Sequence, residues 1–240
     1  MFNNNQNFYL NDSSISFFND KNKWLEQYQE CGIAIEHSLL SEDYCSKLVE
    51  EVNISNSRDS YKPIMMPHRT FDKFLEFLKY PSILAILKDL MKEEFSGLQS
   101  QFFFGSPGTK GFSDHQDNYW IKASKPDKFI SVWIALSDVN PNNGGVYFWL
   151  GSHNLGDLEV ENIREDAGTN QFKNARENQS IIPINSKVFK QDAYLSKGSV
   201  AFFHSQTVHG SYKNNSDQFR YALLNTYIAD ECNFRVGTHA

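Results

Sequence analysis

Two hydrophobic periods divide the chain. As far as about residue 94, apolar side chains recur three and four residues apart; from Gly97 onward they recur every second residue. In the first part, residues 19–30 read as a short helix stopped near Gly32, followed by a short strand over 32–35. Ser41 is placed to cap a helix running to about Val52, with Glu42 and Asp43 where the helix dipole favours acids. Tyr44, Leu48 and Val52 give it one apolar face. Residues 70–79 return to helical spacing through Phe71, Phe74, Leu75 and Leu78, and Pro81 suits the first turn of a further helix carrying Leu84, Leu87 and Met91. Residues 53–68 show no period. Residues 1–18, polar apart from scattered Phe, are expected to be loosely attached.

The second part predicts strands over 98–105, 129–136, 146–150, 200–203 and 218–228. The clearest is 129–136. Ile130, Val132, Ile134 and Leu136 share one purely aliphatic face, as expected under helices, while Phe129, Ser131, Trp133 and Ala135 share a mixed face, as expected of a pocket lining. Asn142-Asn143-Gly144-Gly145 is a turn. The polar stretch 155–190 lacks a period and is expected to form a lid or substrate loop. With no internal repeat and no linker, the pattern predicts one domain over 1–240: mainly β, a barrel or sandwich, with helices packed outside it and mostly N-terminal.

Composition narrows the classes. Aromatics make up 15% of the 240 residues, 20 of them Phe, which is too rich for a disordered chain. The net charge of -6 argues against a nucleic-acid or anionic-membrane partner. Cys31, Cys45 and Cys232 form no CxxC pair and read as free thiols in a reducing, cytoplasmic setting. The Asn-rich start lacks the pattern of a signal peptide, and no apolar run approaches a membrane span. A monomer or homodimer acting on a small molecule is expected.

The candidate chemistry centres on Ser113-Asp114-His115-Gln116-Asp117. In an extended stretch, His115 and Asp117 share a face and can converge on one metal ion, with Gln116 pointing away. A third donor must come from elsewhere, and His153, His204, His209 and His239 lie further along the chain. Two histidines and a carboxylate with open positions suit non-haem Fe(II). His209 is favoured by its downstream neighbours: Ser211 two residues on, and Arg220 inside the apolar run Phe219–Leu224. A buried guanidinium needs an anionic partner, and its fork suits a carboxylate. A diacid co-substrate chelating iron at one end and meeting Arg220 at the other satisfies both demands.

His-Gln-Asp at 115–117, Phe-Phe-His at 202–204, His-Gly-Ser at 209–211, Asn214 and Phe-Arg at 219–220 together resemble the phytanoyl-CoA dioxygenase family of Fe(II)/2-oxoglutarate oxygenases. The Trp133 strand, Asn143-Gly144-Gly145 and Gly151-Ser152-His153 extend the likeness over about residues 98–228, with Leu150 standing where the family usually has Pro. The resemblance implies a double-stranded β-helix (jelly-roll, cupin-like) core. It implies Fe(II) held by His115, Asp117 and His209, 2-oxoglutarate paired with Arg220 and Ser211, and Trp133 and Gln101 lining the co-substrate pocket. It implies use of O2 with release of succinate and CO2. Halogenating relatives replace the carboxylate ligand with Gly or Ala, so Asp117 points to hydroxylation, with desaturation, epimerisation and ring closure open on the same ligands. The expected substrate is a small soluble metabolite, an amino acid derivative or natural-product intermediate. The alternatives are a non-oxygenase metal-binding jelly-roll protein and a zinc hydrolase.

Overall fold

The helices form where caps and apolar spacing coincide. In the computed structural model, which describes residues 10–55, 63–162 and 178–236, α1 (Lys21–Cys31) starts at Asp20, whose side chain accepts from the Lys23 N–H. It stops at Gly32, which takes φ 74°, a left-handed value that glycine adopts without penalty. Strand β1 (Ile33–Glu36) comes next, then α2 (Glu42–Ser55), which Ser41 Oγ caps by accepting from the Tyr44 N–H at 3.2 Å. After the short β2 (Ile64–Met65) come α3 (Asp72–Leu78) and α4 (Pro81–Met91), with Pro81 in the first turn.

Strands then dominate: β3 (Phe95–Gly105), a single turn α5 (Asn118–Ile121), β4 (Phe129–Ala135), β5 (Val146–Leu150), β6 (Val160–Asn162), β7 (Asn178–Ser180), β8 (Phe189–Asp192), β9 (Val200–His204), β10 (His209–Ser211) and β11 (Arg220–Ala229). Six of them form one antiparallel sheet in the order β1-β9-β4-β11-β3-β2, and β10-β5-β8 form a second. The two sheets face each other as a jelly roll, the double-stranded β-helix expected from the chain. The bridge between His115 and His209 adds the His115 stretch to the edge of the smaller sheet.

Alternation along each strand separates two cores. Ile130, Val132 and Ile134 face outward with Phe102, Phe202 and Tyr227 and are covered by the helices through Trp24, Phe74, Phe77 and Met91. Trp133, Ala135, Phe148, Phe203 and Leu224 face inward between the sheets. Fully burying each large side chain contributes about 1.5–3 kcal/mol, so the helical layer is the larger apolar support of the main sheet. Among the described residues no helix is long and apolar enough to cross a membrane. Cys31, Cys45 and Cys232 are buried and unpaired, as expected, and burial pushes the Cys31 thiol up to about 12.

Three expectations change. Leu10, Ile15 and Phe17 are buried, so residues 10–17 pack on the core instead of hanging loosely; residues 1–9 lie outside the described residues. The stretch 155–190 carries β6, β7 and β8, whose polar exposed sequences hide the strand period; residues 163–177 lie outside the described residues. The His115 stretch is not extended throughout. Asp117 takes φ -61° and ψ -32° and opens α5, so a bridge followed by a helical turn brings the two side chains together.

Candidate metal and co-substrate site

His115 reaches the centre because its backbone exchanges two hydrogen bonds with His209: His115 N–H to His209 O at 2.9 Å and His209 N–H to His115 O at 3.0 Å. The rings lie side by side, centroids 4.1 Å apart. Each ring is oriented the same way. Nδ1 of His115 meets Ser113 O at 2.7 Å and Nδ1 of His209 meets Thr207 O at 3.0 Å. Donating Nδ1–H to a carbonyl leaves each Nε2 as a lone-pair donor, the arrangement metal-binding imidazoles use. Both Nε2 atoms face one carboxylate oxygen, Asp117 Oδ1, at 3.9 and 3.8 Å. The other oxygen, Oδ2, accepts a short hydrogen bond from Ser131 Oγ. Ser131 therefore fixes which oxygen faces the histidines.

These three residues offer donor atoms that all lie within 4.8 Å of one another. Burial, and then the neighbouring His209, push the His115 pKa down, which favours the neutral imidazole. Two imidazoles and a carboxylate oxygen are the donor set of a divalent non-haem iron site with open positions, and the residues fit that ion.

The cluster opens into a cavity of about 320 Å³, which all seven predicted site residues line: His115, Asp117, His209, Arg220, Ser211, Trp133 and Gln101. Arg220 begins β11 and is 5% exposed. Its Nε has no hydrogen-bond partner, and no carboxylate among the described residues pairs with it. Its Cζ lies 5.7 Å from the Trp133 ring centroid, and burial alone lowers its pKa to about 10. A buried guanidinium without an anionic partner is costly, so this part of the cavity suits an anion. Ser211 Oγ accepts from the Phe112 N–H at 2.9 Å and keeps its own proton to donate. Gly210 between His209 and Ser211 is a close approach: a Cβ there would collide with Tyr147 Oη.

Gln116 points away from the cluster, as expected. Its Nε2 donates to Gly156 O and Gln206 O at 2.8 and 2.7 Å, which ties the His115–Asp117 stretch to two loops. Of the three residues after Asp117, Trp120 lines the cavity and meets the His115 ring edge-on at 5.2 Å. Asn118 turns away to bond the Ala123 N–H and Asp157. His153 and His204 pack against each other outside the cavity lining, and His153 Nε2 holds Gln29 O at 3.1 Å, the backbone role its turn position suggests. His239 lies outside the described residues. Sequence reasoning missed Thr226, Met65 and Ile121 in the lining. For Thr226 the signal was present, since it sits six residues past Arg220 on the same strand face.

The fold is shared with solved structures. The chain superposes on the "non-heme alpha ketoglutarate dependent epimerase SnoN from nogalamycin biosynthesis" with a TM-score of 0.74 and 17% identity, covering 90% of this chain and 85% of that one. It superposes on the "carbocyclase SnoK" of the same biosynthesis with a TM-score of 0.72 and 20% identity, covering 93% and 90%. In sequence it is 32% identical over 127 residues to phytanoyl-CoA dioxygenase domain-containing protein 1 of Danio rerio, covering 52% of this chain and 42% of the relative. It is 25% identical over 233 residues to phytanoyl-CoA dioxygenase of Arabidopsis thaliana, covering 92% and 76%. The chain spans about half the length of the first curated relatives it matches. The family model described as phytanoyl-CoA dioxygenase (PhyH) matches residues 23–222. The chain belongs to the phytanoyl-CoA dioxygenase (PhyH) family.

Proposed function

We propose that the protein is an Fe(II)/2-oxoglutarate-dependent dioxygenase that hydroxylates a C–H bond of a small metabolite. The observation that carries this reading is the joint presence, in one cavity, of the His115, Asp117 and His209 donors and the unpaired Arg220. His115 Nε2, His209 Nε2 and Asp117 Oδ1 would hold the iron. Bound iron with 2-oxoglutarate supplies O2 activation, coupled to loss of CO2 and formation of succinate. Arg220 receives the far carboxylate of 2-oxoglutarate, with Ser211 donating to it, and Trp133 forms the wall beside them. The two Nδ1–H···O=C bonds and the Ser131–Asp117 bond hold the donors in place before any ligand arrives. The apolar walls, Phe148 and Phe203 among them, exclude water.

Asp117 occupies the position that a halogenating site leaves vacant, which supports hydroxylation. The fold neighbours described as an epimerase and a carbocyclase make the outcome a matter for product analysis. The test is direct. Purified protein with Fe(II), 2-oxoglutarate and ascorbate should form succinate, and Arg220→Ala should abolish it. A metal-binding module without oxygenase activity would bind Fe(II) but not 2-oxoglutarate, and a zinc hydrolase would work with Zn(II) without O2. Either result overturns the proposal. A product one oxygen heavier than its substrate supports hydroxylation over epimerisation or ring closure.

A further inference from the structure

The cavity extends along strand β11 from Arg220 to Thr226, which lies on the Ser131 and Asp117 side. Thr226 stands six residues past Arg220, which at about 3.4 Å per residue is roughly 20 Å away. A five-carbon diacid held between Arg220 and the donor cluster has no need of the Thr226 hydroxyl, which lies on the Ser131 side. Thr226 sits opposite Gln99 on β3 and opposite Ser131 on β4. The Ser131 hydroxyl is committed to Asp117, but Thr226 Oγ1 has no partner among the described residues, although the residue is 2% exposed.

A buried hydroxyl without a partner is a cost that native structures rarely carry unexplained. Thr226 lines the cavity, so rotation about χ1 offers this hydroxyl to whatever enters. Gln99 lies beside it. Its Oε1 already accepts from Gln101 Nε2 at 3.3 Å, and its amide keeps two N–H donors. Met65, Trp120, Ile121 and Phe129 line the same cavity. Among the described residues that line the cavity, Asp117 and Arg220 are the carriers of formal charge. Among the described residues, a carboxylate, phosphate or ammonium beside Thr226 would therefore find no counter-ion of its own, which is unfavourable when the group is buried.

We infer that the Thr226 end is the subsite for an uncharged, ring-bearing substrate whose hydroxyl or carbonyl oxygen bonds Thr226 Oγ1 and the Gln99 amide. The Trp120 and Phe129 side chains supply aromatic faces for the ring. Because Ser131 both neighbours Thr226 and holds Asp117, this anchor sets the adjacent C–H bond beside the metal donors. The inference rests on the oxygenase reading in one respect, that the co-substrate takes the Arg220 end.

The experiment is isothermal titration calorimetry without O2 on the Fe(II)-loaded protein with 2-oxoglutarate. The probes are 2-naphthol and 2-naphthoate, one ring system in neutral and anionic form. The wild type should bind 2-naphthol, and 2-naphthoate at least about tenfold more weakly because its charge finds no partner. Thr226→Val should weaken 2-naphthol about three- to tenfold, the loss of one hydrogen bond, with 2-oxoglutarate affinity unchanged. Thr226→Ser should restore it. Failure of 2-naphthol to bind the wild type overturns the inference, as does equal binding of both probes or an unchanged affinity in Thr226→Val. The 2-naphthol titrations are repeated on protein without metal or co-substrate. Thr226-dependent binding there upholds the subsite even if 2-oxoglutarate does not bind, a result that would sink the oxygenase reading alone.

Discussion

Replacing Arg220 with Met separates a ligand anchor from a structural cation. The side chain is buried, Nε lacks a partner, and no carboxylate among the described residues neutralises it. Burial alone lowers its pKa from 12.5 to about 10, which at about 1.4 kcal/mol per pH unit corresponds to roughly 3 kcal/mol of burial cost carried by the ligand-free fold. Met keeps most of the volume and removes the charge. Against the relief stands the loss of the contact with the Trp133 ring, worth about 1–2 kcal/mol. The net gain is then about 1–2 kcal/mol, or a rise of about 2–8 °C in the melting temperature of the ligand-free protein. With 2-oxoglutarate at a hundred times its Kd the wild type should gain about 2.7 kcal/mol. The variant should gain nothing. Differential scanning calorimetry with and without 2-oxoglutarate reads all four states. A variant that melts lower than the wild type without ligand, yet is protected equally by 2-oxoglutarate, refutes the reasoning and makes Arg220 a structural residue.

Ser131→Ala removes the bond that fixes Asp117 Oδ2 and should weaken Fe(II) affinity about 10- to 100-fold with the fold intact, measured by competition with a chelating dye. Asp117→Ala should abolish succinate formation at saturating 2-oxoglutarate, and activity equal to wild type would remove Asp117 from the donor set. His204 is held down at about 4, first by burial and then by His153, against 6.5 for an unperturbed histidine. The unfolded chain therefore takes up this proton before the folded one does, so stability is fully present above pH 6.5 and is lost as pH falls toward 4. His204→Gln should flatten that part of the urea midpoint against pH, and an identical slope in both proteins would show that His204 does not contribute. Phe202 is fully buried against Trp24, with centroids 5.6 Å apart, and Phe202→Ala should cost about 3–5 kcal/mol in urea unfolding.

How legible the molecule is in its sequence depends on how local the cause is. The two faces of β4 come from the pleat, because successive side chains point to opposite sides of a sheet. Ile130, Val132 and Ile134 lie under the helices, and Trp133 lines the cavity, where alternation puts them. The stop at Gly32 is equally local, a left-handed backbone position after a helical run. Strands β6 to β8 are not legible, because edge strands with exposed polar sequences carry no apolar period and are defined by partners distant in the chain. The burial of Leu10 and Ile15 escapes for a similar reason: isolated apolar residues in a polar segment find their contacts only once the core exists.

The sequence alone determined the candidate donor types, the order of the motifs, the switch from a helical to a strand period, and the placing of Arg220 within an apolar strand. These are properties of neighbouring residues or of one strand face. Only the tertiary structure decided that His209, 94 residues beyond His115, meets it across a backbone bridge. Folding also decided that Asp117 reaches the centre through a helical turn, and that Ser131 selects which of its oxygens faces the histidines. It left the Thr226 hydroxyl without a partner among the described residues, on the strand pair that also carries Ser131. Each of these depends on which strands lie side by side, and sheet register is set by long-range pairing that no local pattern encodes.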